Sequence, residues 1–245
     1  MTTINDAYIN ALLADASYVD GLKLGMTKSA ILEKLSPRMT QEQAKYISDN
    51  FKIVTAYNAP NGGFNSVVWQ GVPGSPFAGQ NFVSIRGTQE GQDFLDDIDL
   101  AFKGLPSTQL RDMVNWWLRE NTRAGNDLIQ IEIKETLIYD PISHTSSKLI
   151  DFVRAATATA TANGNLVDLA GIKSVNAHSL GGYLATSFAR LFGADSINTF
   201  NSAGFKRDQA KLGSVLTFQH FQITLPQRVL RGLPSCNAHG KRGQF

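Results

Sequence analysis

At 245 residues, with 18% of them charged and a formal net charge of +2, the chain suits one α/β domain with a sizeable core and has no field to draw nucleic acid. Its single cysteine, Cys236, excludes an intrachain disulfide. Residues 1–6 lack the basic-then-apolar order of a signal peptide, and no apolar run reaches the length of a membrane span. The expectation is a soluble chain, cytoplasmic by default or exported by a signal-peptide-independent route.

Residues 1–50 read as a helical segment. Tyr8, Ile9, Leu12, Leu13 and Ala16 form an apolar stripe, with Asn5 or Asp6 as its N-cap. Thr27 caps a second helix that runs through Leu35 and ends at Ser36-Pro37. Thr40-Gln41-Glu42-Gln43 is a capping box for a third helix, reaching about Asn50. The segment is expected to pack on a sheet.

Strands follow. Phe51–Tyr57 and Val67–Gly71 flank the turn signal Asn61-Gly62-Gly63 and predict a β-hairpin. Phe82–Arg86 predicts a third strand that runs directly into Gly87-Thr88. Thr108–Asn121 reads as a helix with Leu110, Met113, Val114, Trp117 and Leu118 on one side. That leaves Trp116 as the candidate for a lid or lipid-facing surface. Leu128–Ile133 alternates like a strand, and Ser146–Ala162, rich in alanine and threonine, reads as a long helix. Ser196–Phe200 is another strand. Helices interleaved with strands predict an α/β fold with a mostly parallel sheet and helices on both faces, filling residues 51–208.

Ala177-His178-Ser179-Leu180-Gly181-Gly182 has the form of a nucleophile elbow, a serine with small residues two positions before and after it. Such a match arises by chance in roughly one chain in five of this size, so its surroundings decide its value. Leu169–Ala177 predicts a short strand, while Leu180, Leu184, Phe188 and Leu191 recur at helical spacing before a capping Gly193. Strand, serine turn and helix in that order are what the motif requires. Ser179 is therefore the candidate nucleophile of a serine hydrolase. The oxyanion donors would be the Leu180 N–H and a group on the loop after an earlier strand, for which Thr88 is the best placed.

Ile85-Arg86-Gly87-Thr88 together with the elbow, about ninety residues later, resembles the class 3 (fungal-type) lipase family. Asp93-Phe94-Leu95-Asp96-Asp97 resembles that family's segment after the oxyanion loop, where an acid in the place of Asp97 supports the oxyanion hydroxyl. The resemblance covers about residues 51 to 205, and the N-terminal helices are similar to those of bacterial members. It implies an α/β-hydrolase fold and hydrolysis of carboxylic esters of acyl lipids, of the triacylglycerol or phospholipid type. The substrate would be met at a membrane or droplet surface, and no cofactor would be needed. The elbow departs from the family in opening with Ala177 rather than glycine, a change small enough to fit.

The family order of serine, acid and histidine puts both remaining triad members after Ser179. Residues 180–245 allow roughly three more strand–helix steps. His178 adjoins the serine and reads as structural, His144 precedes it, and His220 lies in an apparent strand, Leu216–Ile223. His239, in a polar terminal loop, is the best candidate base. Asp208 is the candidate acid, one strand earlier than the family places it, whereas Asp195 precedes a strand and lies at the wrong end of a sheet. Residues 209–245 carry five cations and no acid, which leaves residues 1–208 at −3. That basic end reads as a surface segment or as an altered or truncated form of a longer domain. The rival reading of the whole chain is accordingly a catalytically incomplete hydrolase fold with a binding role or none. Asp93, Asp96, Asp97 and Asp99 lack the spacing, glycine and terminal glutamate of an EF-hand loop, and no His/Cys cluster has metal-ligand spacing.

Overall fold

The computed structural model describes residues 4–59, 63–87, 107–141 and 145–202. Three helices come first: α1 (Ile4–Ala16), α2 (Lys28–Leu35) and α3 (Gln41–Asn50). Thr27 Oγ1 accepts the Ala30 N–H, and the Thr40–Gln43 box is closed in both directions at 3.3 and 3.0 Å. α1 is already helical at Ile4, so Asn5 and Asp6 fall inside its first turn rather than capping it. Its apolar stripe is also narrower than expected. Ile9, Leu12, Leu13 and Ala16 are buried, while Tyr8 is exposed with its hydroxyl 3.2 Å from the Gln43 amide.

The remaining elements are β1 (Phe51–Asn58), β2 (Asn65–Gly71), β3 (Asn81–Ile85), α4 (Ser107–Asn121), β4 (Asp127–Leu128), β5 (Ile131–Asp140), β6 (Thr145–Arg154), β7 (Ala160–Thr161), β8 (Ile172–His178), α5 (Gly181–Phe192) and β9 (Ser196–Phe200). The central sheet has the order β1-β2-β3-β8-β9. Its first three strands pair antiparallel as the hairpin signal requires, and β3, β8 and β9 pair parallel. Among the described residues the fold is α/β with a central sheet of mixed direction, parallel through β3, β8 and β9 and antiparallel through the meander β1–β3.

Alternation along each strand sends side chains to two separate cores. Val68, Val83, Ile85, Val175 and Ala177 face α4 and α5, where they meet Leu110, Met113, Trp117, Leu184 and Phe188. Ile53, Val67, Trp69 and Phe82 face the N-terminal helices and meet Leu13, Ile31, Leu35 and Ile47. Helices thus cover both faces. Each of the valines, leucines, isoleucines, phenylalanines and methionines among them, fully buried, contributes about 1.5–3 kcal/mol.

The stretch expected as a helix over Ser146–Ala162 is two strands. β6 pairs residue for residue with β5, from Ile131↔Arg154 to Asp140↔Thr145, and β7 pairs with β4. β-Branched Thr145, Ile150 and Val153 favour a pleated strand once a partner is present. The helix-favouring alanines from Ala155 onward lie beyond the long ladder. The predicted strand Leu128–Ile133 is also broken, at residues 129–130, between β4 and β5. Buried polar groups hold this outer layer to α4. Asn115 donates to the Ile131 C=O and accepts the Ile131 N–H, at 2.9 and 2.8 Å. Glu120, almost wholly buried, accepts the side-chain amides of Asn163 and Asn165, both at 2.7 Å.

Trp116 is core, not surface. Its exposure is 0%, and its ring lies against Tyr57, Phe64 and Trp117 with centroids 6.5, 5.5 and 5.6 Å away. A single apolar stripe on α4 predicts one buried face, but Tyr57 near the end of β1 and Phe64 just before β2 cover a second. Among the described residues no helix is long and apolar enough to cross a membrane.

Candidate active site

β8 lies between β3 and β9 in the sheet and ends at His178; α5 begins three residues later. The turn between them is Ser179-Leu180. Ser179 has φ +56°, and Asn201 is the only other non-glycine among the described residues with positive φ. An L-residue in this region costs about 1–2 kcal/mol, so the surrounding contacts must impose it. They are visible. The Ser179 N–H donates to the Phe200 C=O of β9 at 3.0 Å, and its C=O accepts the Gly182 N–H at 3.0 Å. The serine is partly exposed, at the carboxyl end of two parallel strands, where ligands of open α/β sheets bind.

Two glycines let the end of β3 close on this turn. A Cβ on Gly181 would sit 2.7 Å from the Ile85 C=O and 3.0 Å from the Gly87 nitrogen. A Cβ on Gly87 would sit 2.5 Å from the His178 C=O and 3.1 Å from the Ser179 Cβ. The loop after β3 therefore touches the elbow directly. Both blocking atoms at Gly181 are backbone and cannot swing aside. Gly181→Ala is expected to lose about 2 kcal/mol and lower the melting temperature by roughly 6 °C in a thermal scan. An unchanged melting temperature would show that the two loops are not packed as described.

Leu180 is the N-cap of α5, and among the described residues its N–H has no acceptor. Free N–H groups at a helix N-terminus, backed by the helix dipole, favour negative charge. Ser179 and the Leu180 N–H thus adjoin at the start of α5.

Of the residues singled out in the sequence, the fold brings Ser179 and Leu180 together with Gly87. Thr88, Asp97, Asp208 and His239 lie outside the described residues, as do His144 and His220. His178 makes no hydrogen bond to Ser179 among the described residues. Its Nε2 lies 3.4 Å from the Asn201 side-chain amide, and its ring meets Tyr18 edge-on at 6.0 Å. Asp195 follows α5, at the far end of the sheet from Ser179, and pairs with Lys173 at 3.5 Å.

Tyr18 is the neighbour that sequence reading missed. It follows α1, and its hydroxyl accepts the Gly87 N–H at 3.1 Å and donates to the His178 C=O at 3.4 Å. Beside it the Arg86 guanidinium, 5% exposed, pairs with Asp20 at 2.7 Å. No local pattern marks Tyr18 or Asp20, whereas Arg86 stands in the Ile85–Thr88 motif.

A cavity of about 550 Å³ opens elsewhere, lined by Trp117, Leu166, Ile172, Phe192 and Asp195. It lies at the opposite end of β8, roughly 20 Å from Ser179 along an extended strand. It is not the space above the elbow. No family model, curated protein or solved structure matches the chain.

Proposed function

We propose that the chain is a serine hydrolase of the α/β-hydrolase, class 3 lipase type, acting on carboxylic esters of acyl lipids. The observation that carries this reading is Ser179 itself, a non-glycine residue held at φ +56° between a parallel strand and a helix N-terminus. Strain of this kind persists only where its surroundings fix it, and it aims a side chain out of the turn. The α/β layering and the glycine-mediated closure of the Ile85–Gly87 segment on the elbow support the same reading.

Ser179 Oγ attacks the ester carbonyl carbon. The carbonyl electron pair moves to oxygen, where the Leu180 N–H and Thr88 stabilise it, with Asp97 behind the Thr88 hydroxyl. His239, oriented by Asp208, takes the serine proton and passes it to the departing alcohol. Water then releases the acyl group by the reverse sequence, so no cofactor takes part. The lipid substrate is met at a membrane or droplet surface.

The test is release of fatty acid from emulsified triacylglycerol, phosphatidylcholine vesicles and short p-nitrophenyl esters by the purified chain. Turnover of any of these that Ser179→Ala abolishes supports the proposal. A folded chain that hydrolyses none of them is the hydrolase fold without activity.

A further inference from the structure

The Tyr18 hydroxyl bridges two points that the chain separates widely. It is bound to Gly87, 69 residues away, and to His178, 160 residues away. Gly87 is the residue before Thr88, and His178 is the residue before Ser179. Each end of the bridge therefore adjoins one side of the site where the oxyanion would sit. We propose that Tyr18 is a positioning residue of this site, its hydroxyl setting the spacing between the loop after β3 and the elbow. The inference rests on the reading of Ser179 as nucleophile.

Three features make the bridge stiff. The phenol is clamped by cations on its ring, with Arg38 Cζ 4.7 Å and Arg86 Cζ 5.6 Å from the centroid. Those cations are anchored in turn, Arg38 on Asp15 at 2.6 Å and Arg86 on Asp20 at 2.7 Å. The missing Cβ at Gly87 leaves its N–H close enough to bond, since a Cβ there would stand 2.7 Å from the Tyr18 hydroxyl. Burial raises the phenol above its ordinary value, opposed by the Gly87 N–H and the two guanidiniums, so the hydroxyl keeps its proton near neutrality. Among the described residues the titratable and charged groups around it are Asp15, Arg38, Arg86 and His178, with Asp20 behind Arg86.

Removing only the oxygen isolates this role. Tyr18→Phe keeps the ring and its cation contacts while freeing the Gly87 N–H from its acceptor. Misplacement of a stabilising group by a fraction of an ångström costs rate rather than ground-state binding. The experiment measures p-nitrophenyl butyrate hydrolysis by the whole chain, with active sites counted by a fluorophosphonate probe and melting temperature recorded. The expected result is a kcat per labelled site about tenfold lower for Tyr18→Phe, with KM within twofold and labelling slowed in proportion. An unchanged kcat per site, with or without a lower melting temperature, overturns the proposal and leaves Tyr18 as a structural tie. A Tyr18→Phe chain that fails to fold overturns it likewise. Failure of the underlying reading looks different, because the folded wild-type chain would then take no label at all.

Discussion

Replacing Ser179 by glycine is expected to inactivate the chain and to make it more stable. The two effects share one cause. At φ +56° a residue with a Cβ carries about 1–2 kcal/mol of strain, which glycine does not. Against this, glycine adds backbone freedom to the unfolded chain, worth about 0.5–1 kcal/mol. The net gain is about 0.5–1 kcal/mol, a rise of roughly 2 °C in melting temperature. Ser179→Ala keeps the Cβ and hence the strain, so it should melt with the wild type. Both variants should lose at least about 10³ in kcat/KM, since the remaining groups retain only positioning and oxyanion stabilisation. Thermal scans of the pair alongside ester kinetics separate strain from chemistry. A glycine variant that melts lower than the alanine variant would mean the elbow is not strained in solution.

Trp116→Ala should be the most damaging core substitution tested. The side chain is fully buried among Tyr57, Phe64 and Trp117, and truncation leaves a cavity walled by rings that cannot collapse into it. The expected loss is about 3–5 kcal/mol, or a melting temperature lower by roughly 10 °C. Trp116→Phe should cost under about 1.5 kcal/mol. Among the described residues the indole N–H has no acceptor, so phenylalanine discards no hydrogen bond there. Were Trp116 a lipid-facing residue, the alanine variant would melt normally and lose only vesicle binding. Chemical denaturation of both variants distinguishes the two cases.

Where the chain's instructions are local, they could be read directly. The Thr40–Gln43 box, the Thr27 cap and Gly193 with its positive φ each act within one helical turn; the first two begin their helices and the third ends its helix where expected. The elbow belongs with them, because a sharp strand-to-helix turn needs small residues within two positions of the serine. Partner-dependent choices were not legible. Residues 146–154 carry no decisive period, and it is the ladder to Ile131–Asp140 that makes them a strand. Trp116 needed knowledge of what covers the second side of α4. Tyr18 reaches the elbow across a separation that no spacing rule spans. The base and acid are a different matter. Family order places both after Ser179, and the candidates there, His239 and Asp208 (the latter one strand earlier than the family has it), lie outside the described residues.

The central claim is that Ser179 is an activated nucleophile. The most direct measurement is reaction of the folded chain with a fluorophosphonate followed by mass mapping of the tryptic peptide Ser174–Arg190. The account predicts one phosphonyl adduct per chain, located on Ser179 and missing from Ser179→Ala. A folded chain that takes no label, or takes it on another residue, contradicts it.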